Sequence, residues 1–171
     1  MVLYGRFRGS ALFLCYNIKM KESLEVITKN DSETRKLGES IASEILHAGS
    51  TKGQSLILSL EGDLGAGKTT FTQGFAKGLG IKDKIQSPTF IILKIYKIPK
   101  KNRFKKLIHV DAYRLKSKDF KAFGWKELVN DPENLILVEW GNKIKDILPK
   151  DSLVLSFGHI GHKNKRLIIK K

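Results

Sequence analysis

The stretch GDLGAGKT, residues 62–69, has the residue types and the spacing of a phosphate-binding loop. Its three glycines allow a tight turn whose backbone N–H groups point inward at phosphate oxygens. Lys68 can reach the outer phosphates of a nucleoside triphosphate, and the Thr69 hydroxyl can be a ligand of Mg²⁺. The residues predicted to contact the nucleotide here are Gly62, Asp63, Leu64, Gly65, Ala66, Gly67, Lys68, Thr69 and Thr70.

Two carboxylates are candidates for the group that holds the metal or the attacking water. Asp111 follows the apolar run LIHV, and Glu139 follows the apolar run LILV. In open α/β sheets ligands bind at the carboxyl ends of the strands, so both side chains are expected beside the loop. Spacing alone does not decide which of the two holds the metal, and each by itself could be a solvated acid at a strand end. With Lys68, they are the catalytic candidates.

The segment SPTF, residues 87–90, is a candidate switch. Pro88 favours an extended backbone at Ser87, which would present the Thr89 hydroxyl to Mg²⁺ or to the γ-phosphate. A loop that merely begins a strand explains the segment equally well. From its residue type alone, Trp140 is interpreted as a core residue rather than one that stacks on a base. His109 lies inside an apolar strand and is interpreted as a structural histidine with a polar partner rather than as a ligand.

Two GTPase motifs that the sequence does not match indicate which base the nucleotide carries. NKIKD, residues 142–146, is one residue too long for the guanine-reading pattern N-K-x-D, and DAYR lacks the glycine of a GTPase switch. ATP is therefore favoured over GTP.

The elements that must position these residues are predicted from apolar periodicity. SLILSL, residues 55–60, is a continuous apolar run typical of a strand that is buried on both faces. The segment after the loop has Phe71, Phe75 and Leu79 on one helical face. FIILKIY and LIHVDAY indicate a hairpin, and LILVEW indicates another buried strand. The predicted fold is α/β, a P-loop NTPase-like three-layer sandwich with a mixed, mainly parallel central sheet.

Length and composition limit the domain organisation and the partners. A chain of 171 residues favours one domain, so residues 20–171 are predicted to form a single P-loop domain. Residues 1–19 contain no acidic residue and are predicted to be a disordered extension or the result of a mis-assigned start. The net charge of +15 suits a polyanionic partner, or else a lysine-biased genome with ordinary solvated faces.

Cysteine content and hydropathy indicate the compartment. Cys15 is the single cysteine, which excludes an intrachain disulfide and a cysteine-based metal site. No apolar run approaches the ~18 residues that a membrane span requires. A reducing, cytoplasmic location is predicted.

The motifs GDLGAGKTTF, SPTF, HVDAYRL and VEW, in this order and at these spacings, resemble the TsaE (YjeE) family. Members are small bacterial P-loop ATPases required for threonylcarbamoyladenosine modification of tRNA, and the resemblance covers residues 24–166. It implies ATP and Mg²⁺ as cofactors, with Thr69 and Glu139 at the metal, Asp111 as a Walker-B-like acid and Thr89 in a switch-like segment. It also implies site residues further away: Asp31 and Thr34 beside the base or ribose, Trp140 in the site wall and, more loosely, Lys163 and Arg166.

The resemblance also implies partners. They are the proteins TsaD and TsaB, with tRNA reached through their complex, and neither a membrane nor DNA is expected. ATP hydrolysis would reset the TsaD–TsaB complex between turnovers. One departure from the family pattern is Gln73, where members commonly carry Arg or Lys.

Two other functions remain open from the sequence. A small-molecule kinase would also use a P-loop and a strand-end acid, but the chain has no arginine-rich lid segment. An ATP-switched RNA-binding protein would suit the basic charge, but the chain has no aromatic-rich RNA platform.

Overall fold

A computed structural model describes residues 2–4, 24–47, 53–86, 92–99, 102–160 and 164–170. Within these residues eight strands form one sheet: β1 (Val2–Tyr4), β2 (Leu24–Thr28), β3 (Leu56–Gly62), β4 (Leu93–Lys97), β5 (Lys106–Asp111), β6 (Asn134–Glu139), β7 (Leu153–Ile160) and β8 (Asn164–Lys170). The helices are α1 (Asp31–His47), α2 (Lys68–Gly78) and α3 (Trp125–Asn130), together with two 3₁₀ helices, Ser117–Phe123 and Gly141–Ile147. In this part of the chain no helix is both long enough and apolar enough to cross a membrane.

The sheet order places the glycine-rich loop, residues 62–69, at the end of a central strand. The strands run β1-β2-β8-β7-β3-β6-β5-β4. The central neighbours β7, β3, β6 and β5 are all parallel, whereas the β2–β8, β7–β8 and β4–β5 pairs are antiparallel. The predicted mixed, mainly parallel sheet and the predicted β4–β5 hairpin are therefore confirmed. The loop follows β3, and the two acids end the next strands, since Leu60 pairs with Glu139 and Glu139 with Asp111.

Apolar side chains bury both faces of the sheet, as the continuous apolar runs predict. On one face α1 and α2 cover the sheet, and the predicted stripe of Phe71, Phe75 and Leu79 is fully buried. On the other face Phe120 and Trp125, from the first 3₁₀ helix and α3, pack against alternate residues of β5 and β6. These two apolar clusters confirm the three-layer arrangement.

Some predictions concern the two terminal segments of the sequence and residues that the structure does not describe. Of residues 1–19, the structure describes Val2–Tyr4, which pair parallel to β2. The rest of that segment, the switch candidate Thr89 and the tail residue Lys163 lie outside the described residues. Arg166 belongs to β8 and pairs with Ile27 and Gly158.

The two helices on the loop side touch each other through their backbones. A Cβ atom added at Gly74 of α2 would lie 2.0 Å from the backbone oxygen of Arg35 in α1. At Gly38 of α1 an added Cβ would lie 2.4 Å from the oxygen of Phe71. Such separations are far below van der Waals contact, so glycine is needed for this close packing.

Gly74→Ala is therefore expected to lower the free energy of unfolding by about 3 kcal/mol, because either α1 or α2 must move. Chemical denaturation measures this change. Gly158→Ala is the matched control, since a Cβ atom there meets no atom within 4 Å. Equal stability of the two variants would contradict the close packing of α1 on α2.

Candidate functional site

The loop between β3 and α2 has the backbone that its glycines predict. Gly62, Gly65 and Gly67 all have positive φ, at 128°, 78° and 101°. A Cβ atom at Gly62 would also lie 2.2 Å from the backbone oxygen of Phe157, so other residues are excluded there. Gly67 is the N-cap of α2 and provides no capping side chain. The first N–H groups of α2 have no partner within the helix, which makes this helix end suited to an anion.

Lys68 is the cation of the loop, and it is held by the loop itself. Its Nζ donates to the backbone oxygens of Gly62 and Asp63, both at 2.8 Å. The same Nζ lies 3.7 Å from the ring centroid of Trp140, within the range of a cation–π contact. Desolvation by burial lowers the pKa of Lys68, and the carboxylates of Glu139, Asp111 and Asp63 partly counter that shift.

Glu139 binds side chains from two neighbouring elements. The Thr69 hydroxyl donates to its Oε2 at 2.8 Å, and the Thr72 hydroxyl reaches its Oε1 at 3.3 Å. His109 Nε2 lies 2.9 Å from the same Oε1. With 2% of its surface exposed, the carboxylate is buried directly beside the first turn of α2.

Asp111 lies next to Glu139, one strand further from the loop. The two residues are paired across β5 and β6. The Asp111 carboxylate is buried, and its Oδ1 accepts the backbone N–H of Tyr113 at 2.9 Å. The sheet thus brings both predicted acids to one edge, and there the Glu139 carboxylate accepts the Thr69 hydroxyl.

Trp140 has an uncommon backbone that turns the chain at the end of β6. Its φ of 63° is in the left-handed region, which costs a residue other than glycine about 1–3 kcal/mol. Its N–H donates to the Leu60 oxygen at 2.8 Å, and this bond fixes the turn against the loop strand. The Tyr113 ring lies 4.9 Å from the Trp140 ring, and Lys143 Nζ lies 4.8 Å above the Tyr113 ring. The indole lines the cleft described below, and it also packs against the apolar cluster that contains Phe120 and Trp125.

These groups surround a cleft of about 360 Å³ at the carboxyl edge of the sheet. The residues that line it are Leu64, Gly65, Gly67, Lys68, Thr69, Thr70, Asp111, Tyr113, Glu139 and Trp140.

Two predicted base or ribose contacts lie outside this lining. Asp31 begins α1, and the buried Thr34 bonds to Thr28 Oγ1 and to the Asn30 backbone oxygen. Their proposed role at the nucleotide stays a prediction.

Sequence reasoning missed three polar groups around the acids. Thr72 follows Thr69 by three residues, so helical spacing could have placed both hydroxyls on the same side of α2. Tyr113 follows Asp111 by two residues, and no pattern in the sequence distinguishes it. His109, predicted as a structural histidine inside an apolar strand, is buried, and its Nε2 contacts Glu139, a partner that the sequence does not indicate.

Gln73, the departure from the family pattern, has a structural role. Its Oε1 accepts a hydrogen bond from Arg35 Nε at 3.3 Å, and its Nε2 donates to the Ile85 oxygen at 3.3 Å. The side chain therefore joins α1 to the segment that follows α2.

Comparison with known proteins relates this site to a family. The family described as "Threonylcarbamoyl adenosine biosynthesis protein TsaE" matches residues 28–168. The tRNA threonylcarbamoyladenosine biosynthesis protein TsaE of Treponema pallidum is 31% identical over 147 residues, which cover 85% of this chain and 99% of the relative. The Bacillus subtilis protein of the same name is 42% identical over 105 residues, which cover 61% of this chain and slightly less than two thirds, 63%, of the relative.

A solved structure agrees with these sequence matches. The crystal structure of Bacillus subtilis YdiB superimposes with a TM-score of 0.66 at 32% identity, covering 86% of this chain and 84% of that one. The family match spans the loop, both acids and Trp140. On its sequence and on its fold, this chain belongs to the TsaE family.

Proposed function

We propose that this protein binds ATP with Mg²⁺ and hydrolyses it to drive turnover of the TsaD–TsaB complex in threonylcarbamoyladenosine modification of tRNA. The observation that carries the proposal is the 2.8 Å hydrogen bond from Thr69 to Glu139 at the mouth of the glycine loop. It joins the hydroxyl expected at the metal to a buried carboxylate from the next strand.

The loop fits the phosphates of a nucleotide. Three glycines with positive φ curve the backbone around the N-terminus of α2, where N–H groups favour negative charge. Lys68 is the cation at the centre of this curve, and its present partners are neutral backbone oxygens. A phosphate oxygen would be a stronger acceptor for this ammonium than a neutral carbonyl.

The oxygen atoms at Thr69 and Glu139 fit Mg²⁺. This cation is usually held by one or two protein oxygens together with phosphate oxygens and water. The Thr69 oxygen can face the metal while its hydroxyl hydrogen remains directed at Glu139 Oε2, which accepts it. When bound, Mg²⁺ supplies positive charge that neutralises the phosphates. Asp111, one strand away, is assigned to orient the attacking water.

The pathway and the partners come from the family. Relatives named for threonylcarbamoyladenosine biosynthesis match much of this chain in sequence. The proposed setting is the cytoplasm, the partners are TsaD and TsaB, and tRNA is reached through their complex.

Reconstitution tests the proposal. The chain is purified with TsaD and TsaB, and phosphate release from ATP is measured with and without the two partners. Hydrolysis that rises when both partners are present is expected. An equal rate of hydrolysis with and without the partners would contradict the assigned role, and so would transfer of label from ATP to a metabolite.

A binding signal is expected from Trp140. When ATP draws Lys68 away from its position 3.7 Å from the indole, the environment of that ring changes. Titration with Mg–ATP should therefore give a saturable change in tryptophan emission. The other tryptophan, Trp125, belongs to α3 and does not line the cleft, so the Trp140→Phe variant should lose the change. A signal that persists in this variant would show that the change does not come from Trp140.

A further inference from the structure

His109 is a buried polar residue to which the proposed function assigns no part. Its side chain is completely buried within β5, between β4 and β6. The Nε2 atom contacts Glu139 Oε1 at 2.9 Å. The Nδ1 atom has no hydrogen-bond partner among the described residues. A buried ring that makes one polar contact, and makes it to the carboxylate of the site, needs an explanation beyond packing.

The two oxygens of Glu139 have different partners. Oε2 accepts from Thr69, whereas Oε1 receives His109 and Thr72. The single hydroxyl hydrogen of Thr72 has a nearer acceptor in the Lys68 backbone oxygen, at 2.9 Å against 3.3 Å. His109 is therefore the principal partner of Oε1. Since a carboxylate only accepts hydrogen bonds, Nε2 must carry the ring hydrogen.

The backbone holds this donor rigidly. His109 pairs with Leu137 of β6, two residues before Glu139, and with Lys94 of β4 on its other side. The side chain thus projects from a strand bonded on both edges, under α2. A carboxylate without this contact could rotate about its last torsion, because χ3 of glutamate is broad.

We propose that His109 is a positioning residue: it fixes Oε1 of Glu139 so that Oε2 stays on the Thr69 hydroxyl, and this inference rests on the proposed ATPase function. His109 does not reach the nucleotide. It acts through Glu139, in the way that hydrogen bonds behind metal-site ligands orient those ligands.

The test compares three variants in the reconstituted system with TsaD and TsaB. His109→Leu removes the donor and is expected to lower kcat about 10–100-fold, with the dissociation constant of a non-hydrolysable ATP analogue changed less than about threefold. His109→Gln keeps an N–H near the position of Nε2 and should recover most of the lost kcat. Tyr96→Phe is the matched control, since it removes a buried hydroxyl without a described partner from the same hairpin and should leave kcat unchanged.

Two readouts do not depend on turnover. Imidazole ¹⁵N chemical shifts of the wild-type protein should show the tautomer with hydrogen on Nε2. Thermal unfolding should show whether His109→Leu is folded. If His109→Leu is not folded, the positioning role is tested by the kcat of His109→Gln relative to wild type and by the ¹⁵N shifts.

The outcomes separate the two proposals. Wild-type kcat in a folded His109→Leu variant would overturn the positioning role, and so would equal losses of kcat in His109→Leu and His109→Gln. A ring with hydrogen on Nδ1 and none on Nε2 would also overturn it. Wild-type protein that does not hydrolyse ATP with its partners would instead overturn the ATPase function.

Discussion

Replacing Lys68 by alanine is expected to weaken the binding of ATP about 100-fold, because charge-assisted hydrogen bonds to phosphate contribute about 1.5–3 kcal/mol each. Lys68 is the cation in the lining of the cleft, and its pKa is lowered by burial while three carboxylates oppose that shift. Calorimetric titration with a non-hydrolysable ATP analogue and Mg²⁺ measures the loss.

Lys77→Ala is the control for this prediction. It removes the same charge from the same helix, but Lys77 is exposed and bonds to Glu39 at 2.8 Å, away from the cleft. Its affinity for the analogue should stay within about twofold of wild type, as surface charges contribute little. If Lys68→Ala binds as tightly as Lys77→Ala, the loop is not the phosphate site.

Glu139→Gln should abolish most of the hydrolysis measured with TsaD and TsaB while leaving nucleotide binding largely intact. A loss of about 10²–10⁴-fold in kcat is expected for a charged group that acts at the reacting centre. The glutamine keeps the volume of the side chain and one oxygen for the Thr69 hydroxyl, while its NH₂ group removes both the negative charge and the acceptor of His109. Glu139→Ala would in addition leave Thr69 without its acceptor.

Glu61→Gln provides the comparison for Glu139. Glu61 is a carboxylate near the end of β3 that accepts the Ser59 hydroxyl at 3.3 Å, and it does not line the cleft. Phosphate release by Glu61→Gln should match wild type, and calorimetry on both variants should give similar affinities for the ATP analogue. Wild-type turnover in Glu139→Gln would remove this residue from the mechanism.

The conformation of the glycine-rich loop and the elements on either side of it could be predicted because the information is local. Glycines, Lys68 and Thr69 lie within eight consecutive residues, and an apolar strand before them and a helical stripe after them fix the context. Which of the two acids, Asp111 or Glu139, lies nearer to the loop is not local information. It depends on β6, rather than β5, lying beside β3, and this strand order appears only in the folded sheet.

The contacts of His109 cannot be predicted from apolar periodicity. LIHVD has the composition of a buried strand, and the strand is buried. The acceptor for the ring, however, is thirty residues away on β6. Likewise, the position of β8 between β2 and β7 joins the two ends of the chain, and no pattern in either segment encodes that pairing.

The contacts of Lys68 have a consequence for ligand selection. An anion entering the loop must compete with two backbone carbonyls and an indole face for the same ammonium. Each of these contacts contributes about 0.5–2 kcal/mol, so a weakly charged ligand recovers little more than it displaces. A polyphosphate, which also meets the helix N-terminus, recovers considerably more. If the loop binds anions as proposed, these contacts set a minimum ligand charge, which would favour triphosphates over smaller anions.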